Sequence, residues 1–310
     1  MQSQVTAFAP ASVSNVSCGF DIMGFALDGA GDTVTVRRTT EAGVRMGTIS
    51  GCPVALPDDP AANTAGAPLV ALLREFAPGS GVEIDIRKGI PVGGGIGSSA
   101  ASAVAAVVAA NELLGTHLPN EELLRLAIEG EKVASGAVHV DNLAPSLWGG
   151  FVLVRGYDPI DIIPIRVPDS LWCTVISPAL EVRTDEARRI LPSVVPLGNV
   201  TVQAGNAAGL IAGLLTGDYR LIGRSLRDVI AEPAREHLIP GFARMKDAAG
   251  RAGALGAGIS GSGPSVFALS RSQAEAGAIS RAMGALLGEI GLRYAAIVSR
   301  VGAAGARVLV

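Results

Sequence analysis

The sequence has few aromatic and few charged residues. Phe, Trp and Tyr make up 4% of its 310 residues, and Asp, Glu, Lys and Arg together make up 17%. The formal net charge of -3 gives no electrostatic attraction to nucleic acid or to an anionic membrane surface, so we expect neither as a partner. With 49% hydrophobic residues, the chain is long and apolar enough for a large core and for two ordinary domains.

Cysteines are also few, and their arrangement excludes two kinds of site. Cys18, Cys52 and Cys173 are odd in number and widely spaced, so they predict neither a disulfide framework nor a metal site. We expect reduced thiols in a cytoplasmic protein. The first residues lack a basic region followed by an apolar run, so we predict no signal peptide. The charge-free window 89–111 contains too much glycine and alanine to predict a membrane span.

Glycine, by contrast, is abundant, with 40 residues, and four of them lie in the stretch Pro91–Ala101. Residues 82–87 before this stretch alternate apolar and polar side chains, which predicts a strand. Residues 100–114 are rich in Ala and Leu, which predicts a helix that ends at Gly115. A glycine loop that leads into a helix N-terminus favours an anion, so the stretch predicts a phosphate cradle. The alternative is a glycine-rich turn in which Ser98 or Ser99 is the N-cap of the helix.

Two better-known phosphate and dinucleotide motifs do not fit the sequence. The P-loop pattern GxxxxGK[ST] is absent. The patterns Gly95-x-Gly97-x-x-Ala100 and Gly256-x-Gly258-x-x-Gly261 match the glycine spacing of a nicotinamide site. Neither pattern opens an N-terminal βαβ unit with an acidic residue at the end of its second strand, so we expect no such cofactor.

Three further segments place polar groups among small residues. They are residues 11–21 with Asn15 and Asp21, residues 134–142 with His139, Asp141 and Asn142, and a second Gly/Ser loop at residues 256–265. Taken alone, Asn15 and Asp21 are more simply explained as turn caps. His139 fits a general base, a ligand contact or a buried capping group equally well.

The order of predicted elements favours α+β layers over a doubly wound sheet. The first strand is predicted to end at Pro10. Tyr157-Asp158-Pro159 is the predicted boundary between two domains, since a new set of strands and helices begins there. This boundary divides the chain into residues 1–156 and residues 157–310.

Three separated motifs together resemble the signature motifs of the GHMP small-molecule kinases. They are Pro10-Ala11-Ser12 with Asn15 and Gly19-Phe20-Asp21, then Pro91–Ala101, and then Gly258–Pro264. Within that superfamily, segments such as His139–Pro145, Glu186–Arg188 and Glu232–Arg235 resemble the homoserine kinase family. The resemblance implies an N-terminal domain of the ribosomal-protein-S5-like type and a C-terminal ferredoxin-like domain, with the active site between them. It also implies transfer of the ATP γ-phosphoryl group to the side-chain hydroxyl of L-homoserine, with Mg²⁺, in threonine biosynthesis.

The resemblance further implies roles for individual residues. The implied nucleotide-binding positions are Asn63, Lys88, Pro91, Val92, Gly93, Gly94, Gly95, Ile96, Gly97, Ser98, Ser99, Ala100, Ala101, Gly258, Ser260, Gly261, Ser262 and Gly263. The positions near Mg²⁺ are Ser98 and Glu131. The positions around the amino acid are Asn15, Asp21, His139, Asp141, Asn142, Thr184, Arg188 and Arg235. The candidates for a catalytic role are Asp21, His139, Asp141 and Arg188, and a base, where one exists, is expected among the first three.

These implied roles suit the chemistry. Homoserine carries a carboxylate and an ammonium group, so Arg188 and Arg235 can grip the carboxylate while Asp21 pairs with the ammonium. Phosphoryl transfer asks mainly for positioning and charge stabilisation, so a strong base is not required. Two alternatives remain open: another GHMP kinase that acts on mevalonate, shikimate or a sugar, and a non-catalytic ligand sensor of the same fold. So apolar a chain is also compatible with a homodimer.

Overall fold

The computed structural model of the chain describes residues 2–136 and 138–309. The strands are β1 (Gln4–Ser14), β2 (Met23–Thr39), β3 (Gly43–Ser50), β4 (Gly81–Arg87), β5 (Phe151–Tyr157), β6 (Ile160–Ile165), β7 (Trp172–Pro178), β8 (Gly256–Ile259), β9 (Val266–Ser270), β10 (Tyr294–Arg300) and β11 (Arg307–Leu309). The helices are α1 (Gly66–Phe76), α2 (Ser98–Leu114), α3 (Asn120–Ser135), α4 (Val140–Trp148), α5 (Thr184–Arg189), α6 (Leu197–Thr216), α7 (Tyr219–Ser225), α8 (Glu232–Arg235), α9 (Phe242–Arg251) and α10 (Gln273–Glu289).

The first sheet has seven strands. Helices α1, α2 and α4 pack on it, and α3 packs on these three helices. Its order is β11-β1-β2-β4-β3, with β5 added to β2 and β6 added to β5. All of its pairs are antiparallel except β3 with β4. The predicted alternation of β4 is confirmed, because Val82, Ile84 and Ile86 are buried. Helix α2 lies against β1, β2 and three other helices, and its many Ala side chains let these neighbours approach closely.

Strand β1 is longer than the sequence predicts. It was expected to end at Pro10, but it continues to Ser14, because a register shift between Pro10 and Ser12 accommodates the proline. After the shift, Ser12 pairs with Ala26 of β2. The strand then passes into three residues with positive φ, at Asn15 (67°), Val16 (42°) and Ser17 (59°), which turn the chain sharply.

The second sheet has four antiparallel strands in the order β10-β7-β9-β8. Numbered along the chain, these strands lie across the sheet in the order 4-1-3-2, the strand order of a ferredoxin-like fold, and α9 and α10 pack on the sheet. The Phe25 ring of β2 contacts the Phe267 ring of β9 edge-on, with centroids 6.5 Å apart, so the two sheets meet in one core. The predicted α+β class with two sheet-containing parts is confirmed. No helix in residues 2–136 and 138–309 is long and apolar enough to cross a membrane.

The predicted domain boundary falls inside a hairpin of the first sheet. Residues 158 and 159 form the turn between β5 and β6, and these strands pair from Phe151 with Ile165 to Tyr157 with Ile160. Hydrogen bonding within the first sheet therefore continues past residue 156. The last strand, β11, also returns to pair with β1. We propose a division after Ile165 instead, with the C-terminal strand rejoining the first sheet.

Candidate active site

A cleft of about 570 Å³ lies where the end of β1, the glycine loop before α2, the start of α4 and the loop after β8 come together. It collects residues from both sheet-containing parts of the chain. The predicted site residues in its lining are Asn15, Asp21, Asn63, Lys88, Val92, Gly93, Gly94, Gly95, Gly97, Ser98, Ser99, Glu131, His139, Asp141, Asn142, Thr184, Arg188, Arg235, Gly261 and Ser262. Seven others do not line it: Pro91, Ile96, Ala100, Ala101, Gly258, Ser260 and Gly263.

The glycine loop leads into a helix N-terminus that lines the cleft, as the sequence predicts. Gly97, with φ 71°, is the N-cap of α2, so neither Ser98 nor Ser99 caps the helix. The amide of Ala101 makes the first intrahelical bond, to the carbonyl of Gly97 at 2.9 Å. The amides of Ser98, Ser99 and Ala100 precede that bond, and such free amides at a helix start favour an anion.

The two Gly/Ser loops touch through backbone atoms. Ser260 Oγ donates a hydrogen bond to the Gly95 carbonyl at 2.7 Å. A Cβ added to Gly95, which has φ 74°, would lie 2.4 Å from the carbonyl oxygen of Gly263. Gly258 contacts a side chain rather than the cleft, because an added Cβ there would meet Ser17 Oγ at 2.3 Å. Glycine is therefore required at Gly95 for close approach of the loops as well as for its positive φ.

Glu131 and His139 form a pair at the edge of the cleft. Glu131 Oε2 lies 2.9 Å from His139 Nδ1. Burial would lower the pKa of His139, but its hydrogen bond to Glu131 and the charge of that carboxylate raise the pKa above its ordinary value. Ser98 lines the same cleft. Among the described residues, no three His, Cys, Asp or Glu side chains converge as a metal-binding group.

Opposite charges meet at the other end of the cleft. Arg188 donates from both terminal nitrogens to Asp21, at 2.9 to 3.0 Å, in a bidentate pair. Asp21 has φ 59°, and its backbone amide donates a hydrogen bond to Asn15 Oδ1 at 2.9 Å. Tyr157 donates its hydroxyl to the Asp21 carbonyl. These contacts hold the Asp21 carboxylate towards the cleft.

Asp141 is the most deeply buried acid of the cleft, with 1% of its surface exposed. It lies in the first turn of α4, and its Oδ2 accepts a hydrogen bond from the Asn15 amide at 3.3 Å. Its Oδ1 has no hydrogen-bond partner among the described residues. Burial, and secondly the charge of Asp21, raise the pKa of Asp141 from 3.8 to about 7. A carboxyl group with such a pKa exchanges protons readily near neutral pH.

Arg235 is 4% exposed, although it is charged. Its Nε donates to the Ala187 carbonyl at 2.9 Å and its Nη1 to the Gly261 carbonyl at 3.1 Å. Burial lowers the pKa of Arg235, and no ion pair in residues 2–136 and 138–309 neutralises it. A buried cation whose hydrogen bonds go to neutral carbonyls is suited to an anionic ligand.

Sequence analysis missed several residues that support the site. The Phe20 ring lies beneath two guanidinium groups, with the Cζ atoms of Arg188 and Arg235 at 5.6 and 5.2 Å from its centroid. Asn142 accepts a hydrogen bond from Ser12 Oγ at 2.9 Å and donates one to Ser14 Oγ at 3.0 Å. A signal existed for Phe20, because it stands between Gly19 and Asp21 in the first motif.

Comparison with known proteins identifies the family. The model of the GHMP kinases N terminal domain matches residues 63–150, and that of the GHMP kinases C terminal matches residues 210–288. The homoserine kinase of Chloroherpeton thalassium is 49% identical, over 90% of this chain and 91% of its own length. The homoserine kinase of Xanthomonas campestris pv. campestris is 45% identical, over 99% of this chain and 94% of its own.

Solved structures agree. The crystal structure of homoserine kinase from Cytophaga hutchinsonii is 48% identical, with a TM-score of 0.97, over 100% of this chain and 98% of that chain. Mevalonate kinase from L. major, at 18% identity and a TM-score of 0.75, over 98% of this chain and 99% of that chain, shows the shared fold alone. On these matches, which extend over nearly the whole chain, the protein belongs to the homoserine kinase family of the GHMP kinases.

Proposed function

We propose that the protein transfers the γ-phosphoryl group of ATP to the side-chain hydroxyl of L-homoserine, giving O-phospho-L-homoserine and ADP in threonine biosynthesis. One observation carries the proposal. A single cleft contains a helix N-terminus suited to phosphate and, beside it, charged groups of both signs in Asp21, Arg188 and Arg235. An anionic nucleotide and a zwitterionic acceptor require this combination.

The nucleotide triphosphate is assigned to the glycine loop and to the first turn of α2. Free backbone amides at residues 98–100 and the dipole of a 17-residue helix stabilise negative charge. Asn63 lines the cleft, but its amide group is also used within the protein, donating to the Pro57 carbonyl at 2.9 Å. Its Oδ1 accepts from the backbone amide of Ala65 at 2.9 Å, so the second N–H of the Asn63 side chain is the group left for the nucleotide.

Ser98 and Glu131 suit a magnesium ion that is coordinated mainly by the nucleotide phosphates and water. Mg²⁺ commonly takes one or two protein oxygen ligands and completes its shell with water and substrate phosphates. One hydroxyl and one carboxylate in the cleft lining meet that requirement. When bound, the ion supplies positive charge that offsets the charge of the phosphates. The bond to His139 keeps the Glu131 carboxylate oriented.

The charged end of the cleft suits the backbone of an amino acid. Asp21 can pair with the ammonium group, and Arg188 and Arg235 with the carboxylate. Asp21 and Arg188 are hydrogen-bonded to each other. They therefore present one negative and one positive charge side by side, which can pair with the ammonium and carboxylate groups of an amino acid. Thr184 begins α5 at the rim of the same cleft, and Asn142 lies beside the loops. A sugar or a neutral alcohol has no charged group that could pair with Asp21, Arg188 or Arg235.

We assign the general base to Asp141. Its Oδ1 has an unused acceptor position, and its pKa of about 7 makes the carboxylate a competent base near neutral pH. The hydroxyl oxygen of the acceptor bonds to the γ-phosphorus as the bond from that phosphorus to the bridging oxygen of ADP breaks. The proton of the hydroxyl passes to Asp141, so charge does not accumulate on the attacking oxygen.

The test is an ADP-release assay with Mg-ATP and L-homoserine, run against mevalonate, shikimate, galactose and L-threonine. Turnover confined to homoserine supports the proposal. Turnover with another alcohol would support kinase activity but contradict the assignment of the amino-acid pocket. ATP binding without turnover on any acceptor would support a ligand sensor. Glu131→Gln is the companion variant, with ATP binding retained and turnover strongly reduced as the expected result. Unchanged turnover would remove Glu131 from the mechanism.

A further inference from the structure

A buried ion pair lies behind the glycine loop. Lys88 follows β4, Asp32 lies in β2, and their side chains are 3% and 0% exposed. The two strands are antiparallel, with Thr33 opposite Arg87, so the next residues along, Asp32 and Lys88, face each other on the buried side. The pair is formed by Lys88 Nζ and Asp32 Oδ2. Charged residues are rarely so buried unless they are paired.

The hydrogen-bonding capacity of Lys88 is used within the protein. An ammonium group has three N–H donors. Those of Lys88 reach Asp32 Oδ2, the Ser98 carbonyl at 2.9 Å and Ser102 Oγ at 2.8 Å. Although Lys88 lines the cleft, all three donors are directed towards β2 and α2, so none remains for a phosphate oxygen.

Asp32 is bonded to both ends of the glycine loop. Its Oδ1 accepts from the Gly89 amide at 3.0 Å, just before the loop begins. Its Oδ2 accepts from Ser102 Oγ at 2.7 Å, in the second turn of the helix that follows the loop. Lys88 also donates to the Ser98 carbonyl in the first turn of α2. Together, Asp32 and Lys88 therefore fix the residues on both sides of the glycine loop.

We propose that Asp32 is a positioning residue of the phosphate site, which acts by retaining Lys88 as an internal brace instead of a phosphate ligand. The pair holds the free amides of α2 in place, and those amides contact the phosphates. The readout by ATP rests on the proposed function, but the bracing of the loop does not. The competing arrangement, in which Lys88 contacts the nucleotide directly, makes opposite predictions for Asp32.

The experiment is a double-mutant cycle of Asp32→Asn, Lys88→Met and the two together. The dissociation constant of ATP is measured by calorimetry without acceptor. As a brace, each single variant weakens ATP binding about tenfold, and the double variant is no weaker than the poorer single. The KM for homoserine stays within about twofold in each variant, because the residues proposed to bind homoserine make no contact with Asp32 or Lys88. If Asp32→Asn binds ATP as tightly as the unaltered protein, or more tightly, while Lys88→Met binds it poorly, Lys88 is a phosphate ligand and the proposal is overturned.

A second variant covers the case in which an unpaired buried charge prevents folding. Ser102→Ala removes a neutral hydroxyl from the same cluster, and Ser146→Ala removes an equally buried hydroxyl that donates to the Pro10 carbonyl and does not line the cleft. Ser102→Ala is expected to weaken ATP binding about threefold and Ser146→Ala to leave it unaltered.

Hydrogen exchange of the amides in residues 89–102, measured without nucleotide, separates this inference from the proposed function. Faster exchange in Ser102→Ala than in Ser146→Ala supports the brace, even for a chain that binds no ATP. Equal exchange in the two variants overturns it.

Discussion

The two ends of the cleft recognise charge by different means. The proposed nucleotide end, residues 91–101 with the loop 258–263, offers backbone amides and neutral hydroxyls, and Lys88 beside it is bonded to Asp32. The proposed acceptor end, with Asp21, Asp141, Arg188 and Arg235, offers side-chain charges that are partly or fully buried. A phosphate chain can be held by many weak dipoles, whereas the two charges of an amino acid each need an opposite charge.

The difference predicts how each end fails. At the nucleotide end the backbones of two loops are in contact, so an added atom is more harmful than a lost hydroxyl. At the acceptor end, a removed charge takes away a group that would pair with the charged acceptor. Variants at the acceptor end should therefore alter kcat or the KM for homoserine, and variants at the nucleotide end the KM for ATP.

The largest effect is expected for Asp141→Asn. The amide cannot accept the proton of the hydroxyl, so kcat should fall about 100-fold to 10,000-fold. In the unaltered protein, kcat should rise with pH through about 7, as Asp141 ionises, and this limb should be absent from the variant. The measurement is a pH profile of kcat at saturating ATP and homoserine. A variant that keeps the limb would assign it to another group.

Stability provides the control for Asp141→Asn. Because burial raises the pKa of Asp141 from 3.8 to about 7, the folded state retains a proton that the unfolded chain loses. The stability from this group is fully present below about pH 4 and is lost as pH rises to about 7. The neutral Asn variant should therefore unfold at a higher temperature than the unaltered protein at pH 8, with a smaller gain at pH 4. A folded variant with low activity excludes misfolding as the cause.

Arg235→Leu should have the next largest effect. Losing a charge-assisted hydrogen bond costs about 1.5–3 kcal/mol, which raises the KM for homoserine about 10- to 150-fold. The KM for ATP should change far less. The matched control is Arg244→Leu, which removes an exposed arginine paired with Glu289 and should leave both constants unaltered. Equal increases in the two KM values would place Arg235 outside the acceptor end.

These two ends also differ in how far the sequence predicts them. The strand, glycine loop and helix of the proposed nucleotide end are contiguous, so local periodicity and glycine chemistry were sufficient to predict these three elements. The acceptor end joins residues 167 positions apart, as in the pair of Arg188 with Asp21, and such contacts follow only from the tertiary fold. There the family resemblance, and not the residue pattern, supplied the prediction.

The Asp32 and Lys88 pair lies between these two cases. Asp32 shares the parity of the buried Val34 and Val36, and Lys88 that of Ile84 and Ile86. Extending the alternation by one step would have placed both charges on the inner face. Their pairing still required the register of β2 with β4, which the sequence does not contain. The continuation of β1 beyond Pro10 was missed for a similar reason, since the register shift depends on its partner strand.

Gly95→Ala tests the contact between the two loops. Its new Cβ would lie 2.4 Å from the Gly263 carbonyl oxygen and 2.7 Å from that of Ser260, so the loops must separate. Overpacking of this kind costs about 1–3 kcal/mol, and the KM for ATP should rise about 5- to 150-fold. Gly79→Ala is the matched control, with φ 81° and nothing within 4 Å of the added atom. It carries the same backbone strain, so a rise in KM for both variants would refute a specific role of the loop contact.

The smallest effect is expected for Phe20→Leu, which examines whether the acceptor end depends on more than its charges. The Phe20 ring lies beneath the guanidinium groups of Arg188 and Arg235, and its face offsets part of the repulsion between two cations. Losing the ring should cost about 0.5–1 kcal/mol, so the KM for homoserine should rise about 2- to 5-fold while kcat and the KM for ATP are kept. Phe20→Tyr should restore it.

The matched control is Phe76→Leu, where the guanidinium of Arg125 lies 5.9 Å from the ring centroid on α1, outside the cleft. Both substitutions remove a ring beneath an arginine, but only Phe20 lies beneath the two arginines that the proposed carboxylate would bind. A KM for homoserine that changes equally in the two variants, or in neither, would mean that Arg188 and Arg235 are positioned by their hydrogen bonds to Asp21, Ala187 and Gly261 alone.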